Sequence, residues 1–514
     1  PQQAIAPELE KQWGGHAGVS QAAAKALGAP AWIPEIVGQH HGFSPQLGGK
    51  QADAEVFGGS GWQAQRTALV QELQQRLGMS WPQITSAAQA RLVAGLTSVA
   101  DWIGSGRHFE DPTQPWQDLI DTALSEAGWV APSYRPELGF ADVFGFAPRA
   151  AQQQLLEMAH RPGVYVLEAP MGLGKTEAAL YTAYQMLDRG LASGIYFALP
   201  TQLTSNKIHE RFNAFLSRII APDCPHRSAL LLHGKAWLQQ TDMGEEGSPG
   251  GAWFHQAKRG LLAPFAVGTI DQALMAAMNV KHGFVRAFGL AGKVVILDEV
   301  HTYDAYTGTL LDALVALLRS LHCTVIILSA TLSQERRSHL LQAPLHSRAY
   351  PLITAVQDAG DAPQVHECPV APPPSTHVEV RLLDDGVCAL QAALDRAAQG
   401  QQVLWIENTV DSAQQRYLDL AARAQELGVA CGLLHSRFTA ADRQSIEDRW
   451  VNLFGKPGWP QRAAQGRILV GTQVLEQSLD IDADFLVTAF APTDMLLQRM
   501  GRLWRHFETP RAST

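Results

Sequence analysis

Residues 169–176 read APMGLGKT. They follow a strand-like apolar run, VYVLEAP (164–170), and precede a helical stretch that begins EAALYTAYQML. A glycine-rich turn in this context is typical of a phosphate-binding P-loop, because its backbone N–H groups and the helix N-terminus point at the phosphates. Lys175 supplies a point charge to the β- and γ-oxygens, and the Thr176 hydroxyl reaches Mg²⁺. The strict motif begins with Gly where this chain has the small residue Ala169. The candidate nucleotide-binding residues are Gly172, Gly174, Lys175, Thr176 and Gln152.

An acidic pair supplies the second half of this site. The sequence LDEVH (297–301) ends an apolar strand pattern, KVVIL. An acidic residue at the carboxyl end of a strand beside a P-loop holds Mg²⁺, which makes Asp298 a candidate ligand. Glu299 is then placed to orient and deprotonate the attacking water. Without a P-loop upstream, the same pair would indicate an ordinary solvated strand end.

Apolar strand patterns alternate with helical patterns in two series, over 164–331 and over 377–490. Near-continuous apolar strands separated by helices predict buried parallel sheets, so we expect an α/β fold with two consecutive lobes. The second series begins with HVEVRLL (377–383), which we expect to form a strand. Helical spacing dominates the N-terminal part. The predicted domains are a mostly helical domain at 1–130, a linker at 131–148, the first lobe at 149–350, a linker at 351–376 and the second lobe at 377–514.

Composition sets limits on the class of protein. A chain of 514 residues should hold about three domains. A hydrophobic content of 46% with 17% charged residues excludes a disordered or fibrous chain. The net charge of −9 means that any contact with a polyanion must be local. Five scattered cysteines indicate reduced thiols, and no apolar run approaches the roughly 20 residues of a membrane span, so we expect a cytoplasmic protein.

A basic motif lies near the C-terminal end of the sequence. In QRMGRLWR (498–505), helical spacing would put Gln498, Arg502 and Arg505 near one face. Guanidinium groups supplied from a second lobe stabilise the charge on a transferring phosphoryl group, the arginine-finger role. Taken alone, such a run would indicate only a basic helix end.

The order of these motifs resembles that of a superfamily 2 helicase with two RecA-like lobes. The P-loop and DEVH are followed by LSATL (328–332), GTQVLEQSLDID (471–482) and QRMGRLWR. LPTQLTSNKIHERF (199–212) and VGTIDQAL (267–274) resemble the strand-tracking motifs of the first lobe. The resemblance implies phosphate contacts that position a DNA strand without reading its sequence. The candidate nucleic-acid contacts are Thr201, Thr269 and Thr472.

The residues within these motifs indicate a narrower family than the superfamily. EAPMGLGKTEAAL, DEVHTYDAY, GTQVLEQSLDIDAD and FAPTDMLLQRMGRLWRH are similar to the CRISPR-associated helicase-nuclease of type I interference systems, in particular of subtype E. The resemblance implies ATP and Mg²⁺ as cofactors and single-stranded DNA as substrate. It also implies recruitment by a crRNA-guided surveillance complex and an all-α, HD-type metal nuclease domain ahead of the helicase.

Two N-terminal motifs resemble the later metal-binding motifs of that nuclease. In GQHHG (38–42) and VADWIGS (99–105), the resemblance implies His40, His41 and Asp101 as ligands, with His16 as a weaker fourth. Imidazole and carboxylate ligands suit a first-row transition metal that activates water, although they do not identify it. Without the family, adjacent histidines beside a glycine are more often an exposed loop.

The sequence departs from the family pattern at its start. The family's first ligand histidine and its His-Asp pair should lie upstream of His16, and residues 1–15 contain neither. We therefore expect either that the natural chain extends beyond Pro1 or that the nuclease is incomplete. The second lobe also stops soon after its arginine motif.

The leading hypothesis is an ATP-driven single-strand DNA translocase coupled to an HD-type nuclease that degrades foreign DNA. One alternative is a superfamily 2 RNA or DNA helicase with an unrelated N-terminal domain. Another is an ATP-gated DNA-binding module with an inactive nuclease. Bound metal and cleavage distinguish the leading hypothesis from both alternatives.

Overall fold

The structure is a computed structural model. It describes residues 13–43, 59–111, 113–170, 172–232, 252–255, 259–300, 305–359, 362–372, 377–462, 464–476, 479–506 and 508–511. The chain divides into two compact units. The first contains the N-terminal helices and an eight-stranded sheet and extends to Ala371, and the second contains residues 169–174 and a four-stranded sheet after Pro372. The predicted α/β fold class is confirmed.

The N-terminal part is helical, as predicted. Its fourth helix begins after Ser86, whose hydroxyl accepts the N–H of Gln89 at 3.1 Å and so caps the first turn. Ala90, Ala94 and Val99 on this helix are buried, which places one apolar stripe against the rest of the unit. The helices are α1 (Gly15–Ala26), α2 (Ile33–Gly38), α3 (Gly59–Leu77), α4 (Ala87–Gly104) and α5 (Gln117–Ala127).

The first lobe is built on the eight-stranded sheet, in the order β3-β4-β2-β5-β6-β1-β7-β8. Its six strands from β3 to β1 are parallel, and β7 and β8 form an antiparallel hairpin at the edge. Every residue of the central strands β1, β2, β5 and β6 is buried, as expected for a sheet covered by helices on both faces. The strands are β1 (Gly163–Glu168), β2 (Ile195–Leu199), β3 (Leu230–Leu232), β4 (Phe265–Thr269), β5 (Val294–Leu297), β6 (Thr324–Ser329), β7 (Leu352–Ala359) and β8 (Ala362–Pro369). The helices are α6 (Phe140–Phe144), α7 (Ala150–Met158), α8 (Lys175–Asp188), α9 (Gln202–Ile219), α10 (Ile270–Ala277), α11 (Gly283–Leu290), α12 (Ala305–Ser320) and α13 (Gln334–Leu341).

Both predicted linkers differ from the structure. Much of the segment predicted as a linker at 351–376 forms the β7–β8 hairpin, which extends the sheet of the first lobe. The segment at 131–148 packs on this lobe, since Tyr181 and Tyr184 donate their hydroxyls to the carbonyls of Leu138 and Arg135 at 2.7 Å. Proline and glycine marked irregular backbone correctly, but irregular backbone that is hydrogen-bonded to a lobe is part of that lobe.

The second lobe has a four-stranded parallel sheet in the order β10-β11-β9-β12. Its strands are β9 (Gln402–Ile406), β10 (Ala430–Leu434), β11 (Arg467–Gly471) and β12 (Phe485–Thr488). Its helices are α14 (Gly386–Ala398), α15 (Val410–Glu426), α16 (Ala440–Phe454), α17 (Trp459–Arg462) and α18 (Thr493–Met500). The strand predicted at 377–383 is wrong: this segment has no regular structure, and Leu382 is 85% exposed.

Among the described residues, no helix is long and apolar enough to cross a membrane.

Candidate functional site

The carboxyl ends of the parallel strands meet at one edge of the first sheet. Glu168, the last residue of β1, pairs in register with Ser329 at the end of β6, and Leu297 of β5 pairs with Ile327 two residues earlier. On the other side, Leu199 of β2 pairs with Thr269 at the end of β4. The segments that follow these strands carry the motifs singled out in the sequence, so the topology gathers those motifs at one edge. This edge is where open α/β sheets bind ligands.

The glycine-rich turn between β1 and α8 has the backbone that its sequence predicts. Gly172 and Gly174 have φ angles of 82° and 76°, a left-handed region that side-chain-bearing residues rarely occupy. Helix α8 then begins at Lys175, with Thr176 next, so both lie in the first turn. The first turn of a helix directs backbone N–H groups outward along the axis and carries the positive end of the helix dipole. A phosphate group is the ligand that this arrangement favours.

The acidic pair follows β5 in a constrained turn. The N–H of Asp298 donates to the carbonyl of Ala198 on β2 at 3.0 Å, which continues the sheet by one residue. The Asp298 carboxylate accepts the N–H of Glu299 at 2.9 Å. Glu299 has a φ angle of 55°, which costs energy for a residue with a side chain and is found mostly where function requires it. The turn therefore places two consecutive acidic residues at the edge of the sheet.

Three further candidates in this lobe occupy different environments. Gln152 is 1% exposed, and its side-chain oxygen accepts the N–H of Arg149 at 2.8 Å, which caps the start of α7. Thr269 is 6% exposed at the end of β4, and its carbonyl accepts the hydroxyl of Tyr196 at 2.8 Å. Thr201 lies two residues beyond the end of β2, just before α9. Both threonines thus lie at adjacent strand ends, while Gln152 also has a role in helix capping.

The arginine motif of the second lobe is only partly helical. Helix α18 ends at Met500, so Gln498 lies on it and is 6% exposed, whereas Arg502 and Arg505 lie beyond it. Arg502 is 2% exposed, and its two terminal nitrogens donate to the carbonyls of Leu479 and Glu476. A guanidinium committed to backbone carbonyls does not extend towards a phosphate. In this structure the donors of Arg502 hold the carbonyls of Glu476 and Leu479, and its role as an arginine finger stays a prediction.

Arg505 is the more accessible of the two arginines. Its side chain is 20% exposed, and its Nε lies 3.3 Å from a carboxylate oxygen of Asp480. The Asp480 pKa is lowered to about 2, chiefly by the hydrogen bond from His506, with further lowering by the charge of Arg505. Arg505 thus belongs to a polar cluster at the surface of the lobe.

Sequence analysis missed Arg499, the most completely buried member of the motif. Its side chain is 0% exposed and pairs with Glu476 at 2.7 Å. The same guanidinium donates to the hydroxyl of Thr488 at 2.6 Å and to the side-chain oxygen of Asn408 at 2.9 Å. Burial raises the pKa of Glu476, and the charge of Arg499 opposes that rise. Arg499 therefore joins three segments of the second lobe, and only the density of arginines in the motif hinted at such a role.

Thr472, the third predicted nucleic-acid contact, follows β11 of the second lobe. It is 6% exposed, and its carbonyl accepts the N–H of Leu475 at 2.9 Å in a short 3₁₀ turn. It thus occupies the same position relative to its sheet as Thr269 does in the first lobe, directly at the carboxyl end of a parallel strand.

Three histidines of the N-terminal domain converge. The Nε2 atom of His16 lies 3.2 Å from Nε2 of His40 and 2.8 Å from Nε2 of His41. One ring nitrogen of each lies within 4.8 Å of the others, a spacing suited to a shared metal ion. Nδ1 of His40 donates to the carbonyl of Val37 at 2.7 Å, which leaves the Nε2 lone pair directed into the cluster. His16, the weaker sequence candidate, is therefore central to this arrangement.

Asp101 lies near this cluster but outside the group of three. It is on α4, and Ser98 one turn earlier donates its hydroxyl to the carbonyl of His40 at 3.3 Å, which holds the helix against the histidine turn. Burial lowers the pKa of His41 most strongly, followed by the charges of His40 and His16, while Asp101 raises it. A neutral imidazole is the form that binds metal, so this environment favours ligation.

Three protein-family models match successive parts of the chain. The model for the "Cas3, HD domain" matches residues 2–109, the "DEAD/DEAH box helicase" model matches 149–339, and the "CRISPR-associated nuclease/helicase Cas3, C-terminal" model matches 399–508. These matches confirm that an HD-type domain precedes two helicase lobes.

Individual proteins give the same result. The chain is 36% identical to the CRISPR-associated endonuclease/helicase Cas3 of Thermus thermophilus over 93% of its own length, and 34% identical to that of Escherichia coli over 81%. It spans 60% and 51% of those relatives, respectively. The crystal structure of T. fusca Cas3 with AMPPNP is 32% identical and superposes with a TM-score of 0.84, covering 96% of this chain and 63% of that one.

Proposed function

We propose that this chain, which belongs to the family of CRISPR-associated Cas3 nuclease/helicases, is an ATP-driven translocase of single-stranded DNA coupled to a metal-dependent DNA nuclease. The observation that carries the proposal is the presence, in one compact unit, of the three-histidine cluster and of the sheet edge that bears Lys175 and Asp298. The match of an HD-domain model to residues 2–109 argues against the alternative of an unrelated N-terminal domain.

We assign ATP binding to the edge of the first sheet. Gly172 and Gly174 allow the backbone to approach the phosphates, and Lys175 neutralises their charge. The hydroxyl of Thr176 and the carboxylate of Asp298 would hold Mg²⁺, which offsets the charge that develops on the phosphate oxygens. Oxygen donors of this kind are what Mg²⁺ prefers. Gln152 would add a contact to the nucleotide.

Glu299 would position and deprotonate the water that attacks the γ-phosphate. Its left-handed backbone, in a turn held by the hydrogen bond to the Asp298 carboxylate, supports this role because strained backbone clusters at active sites. We propose Arg505 as the cationic finger and Gln498 as a residue that assists it. Arg502, whose donors bind the carbonyls of Glu476 and Leu479 in this structure, is the second candidate for that role.

We propose Thr201, Thr269 and Thr472, each at or just beyond the end of a strand of its own lobe, as contacts to the DNA backbone. Hydroxyl and backbone N–H groups bind phosphates without distinguishing bases, as a translocase on arbitrary sequence requires. Local neutral contacts also suit a chain whose net charge is −9.

The residues of the histidine cluster fit a divalent metal. Three imidazoles with converging Nε2 atoms, one of them oriented by a backbone carbonyl, are a donor set suited to a first-row transition metal. A metal there would lower the pKa of a bound water and polarise a phosphodiester. His16, His40 and His41 would hold it, and Asp101 would add a carboxylate and orient the attacking water.

Recruitment by a crRNA-guided complex is part of the proposal. A structure titled "CRISPR RNA-guided surveillance complex, pre-nicking" contains a chain 31% identical to this one, with a TM-score of 0.72 over 96% of this chain. We propose a similar complex as the partner that delivers DNA in type I interference. Membership of subtype E stays a prediction.

The test is the DNA-stimulated ATPase activity of Lys175→Ala beside Lys25→Ala, an exposed lysine of α1. We expect Lys175→Ala to lose turnover and Lys25→Ala to keep it, because only Lys175 meets the phosphates. Undiminished turnover in Lys175→Ala would refute the nucleotide site.

A further inference from the structure

The N-terminal helical domain packs closely on the first lobe. Gly95 of α4 lies against Phe288 of α11 so tightly that a side-chain carbon at Gly95 would come within 2.3 Å of the phenylalanine Cβ. The guanidinium of Arg91 donates to the carbonyl of Ala276 in α10 at 3.0 Å. These contacts fix the position of α4, which carries Asp101, relative to the helicase lobe.

An arginine and aromatic rings add to the same junction. The guanidinium of Arg259, from the first lobe, lies 5.1 Å from the ring centroid of Trp102 and 4.4 Å from that of Trp253. Trp102 is the neighbour of Asp101, and its ring also meets that of His282 at 5.6 Å. Stacking of this kind restrains both partners. The segment around His282 is therefore held next to the metal-binding end of α4.

That segment reaches the histidine turn itself. The N–H of His282 donates to the carbonyl of Gly42, which directly follows His41, at 3.4 Å. Gly42 has a φ angle of 120°, and a side-chain carbon there would lie 2.5 Å from Cγ of Lys281. The methylene chain of Lys281 thus runs over the glycine of the GQHHG motif, although the two are about 240 residues apart in sequence.

The side chain of Lys281 lies next to the cluster, because Gly42 directly follows His41 and the Cγ and Cε atoms of Lys281 lie 2.5 and 2.9 Å from where a side-chain carbon at Gly42 would be. Lys281 is exposed, and within the part of the chain that the structure describes no carboxylate lies within ion-pair distance of it. The charge of a lysine is not stabilised electrostatically by imidazoles that would hold a divalent metal. An anion that arrives with the substrate does stabilise this charge.

We propose that Lys281, a residue of the helicase lobe, completes the nuclease site by binding a phosphate of the single-stranded DNA that lies across the histidine cluster. The inference rests on the proposed nuclease function and adds a substrate-binding residue to it. It also makes cleavage depend on the docking of the two domains, because the N-terminal domain alone lacks this cation.

The test compares Lys281→Met, which keeps the stem and removes the charge, with Lys281→Arg and with the control Lys25→Met. Lys25 is exposed nine residues along α1 from His16, which is about 13 Å at 1.5 Å per residue. Cleavage of a thymidine oligonucleotide is measured with Mn²⁺ and without ATP, so that translocation does not contribute. Binding of the metal-free protein is measured separately, by photo-cross-linking of a 4-thiothymidine oligonucleotide to the peptide that contains His41.

We expect Lys281→Met to raise KM about tenfold, as for the loss of one hydrogen bond to a charged group. The slope of log(kcat/KM) against log salt should fall by about 0.7, the share of one single-strand phosphate contact. Cross-linking should weaken, while ATPase turnover and metal content stay unchanged. Lys281→Arg and Lys25→Met should resemble the unmodified chain.

Cleavage by Lys281→Met with unchanged KM and salt slope would overturn the assignment of Lys281 and leave the nuclease intact. Absence of Mn²⁺-dependent cleavage by the unmodified chain would overturn the nuclease proposal and this inference with it.

Discussion

Replacing Arg337 with Met should destabilise the first lobe strongly. Arg337 pairs with Glu168, and both side chains are only 3% exposed. Its other terminal nitrogen donates to the carbonyl of Ser347 at 2.6 Å and lies 3.6 Å from Glu367. Glu168 is the last residue of β1, immediately before the P-loop, so the pair supports the strand that presents Lys175.

The size of the effect follows from burial. Removing one partner of a buried ion pair costs about 3–5 kcal/mol, because the other charge is left uncompensated. At about 2–4 °C per kcal/mol, a loss of 3 kcal/mol lowers the melting temperature by about 6–12 °C. Replacing both partners by neutral groups should cost much less, so Arg337→Met with Glu168→Gln should recover a large part of the loss.

The pH dependence gives an independent check. Burial already raises the pKa of Glu168, and Arg337 opposes the rise. Without Arg337 the folded-state pKa rises further above the unfolded value, so the folded state binds a proton more readily and the penalty grows as the pH increases. Arg337→Met should therefore be less destabilised at pH 5 than at pH 8, and the double variant should lose this difference.

The assay is thermal unfolding of the four members of this double-mutant cycle at both pH values. Melting of Arg337→Met within 2 °C of the unmodified chain would refute the argument. So would a double variant whose loss equals the sum of the two single losses, because additivity means that the two residues do not interact.

Three further predictions concern single residues. Glu299→Gln should lower the kcat of the DNA-stimulated ATPase by about 10²–10⁴-fold, while ATP still binds in a calorimetric titration. A kcat within threefold of that of the unmodified chain would contradict the role of Glu299 as general base. Burial lowers the Lys293 pKa to about 7 from 10.5, so the unfolded state binds more protons between these pH values. The free energy of unfolding should therefore rise with pH by up to about 1.4 kcal/mol per pH unit. Unfolding of Lys293→Met at pH 7.5 and 9.5 should lack this rise, and equal pH slopes for the variant and the unmodified chain would refute the prediction. Arg505→Ala should lower ATPase turnover without changing the melting temperature. Arg502→Met should lower the melting temperature, because the buried carbonyl of Glu476 loses the donor that Arg502 supplies and that of Leu479 keeps the longer hydrogen bond from Arg505; the reverse pattern would favour Arg502 as the finger.

The parts of the fold that the sequence predicted correctly are those specified by local pattern. The strand that ends at Glu168, the glycine turn and the helix from Lys175 follow from apolar runs, glycine and helix-forming residues within one short stretch. The strand ends that carry Thr201 and Thr269 follow from the same reasoning. A parallel βα unit buries its strand completely, so the strand is recognisable in the sequence as a near-continuous apolar run.

The errors arise where structure depends on a distant partner. HVEVRLL at 377–383 alternates as a strand does, but a strand requires a neighbour to complete its hydrogen bonds, and alternation does not identify one. The burial of Arg502 likewise depends on the carbonyls of Glu476 and Leu479, which its motif does not indicate. Lys281 carries no local signal, since its proximity to His41 results from the packing of α4 on α11.

The central property proposed for this chain is the combination of a metal nuclease with an ATPase. The most direct test measures metal content, Mn²⁺-dependent cleavage of single-stranded DNA and ATPase turnover in the unmodified chain, in His41→Ala and in the control His160→Ala, an exposed histidine. We predict that the unmodified chain and His160→Ala bind metal and cleave DNA, and that His41→Ala loses both while keeping its ATPase activity. Undiminished metal binding and cleavage by His41→Ala, or no cleavage by the unmodified chain, would contradict the account.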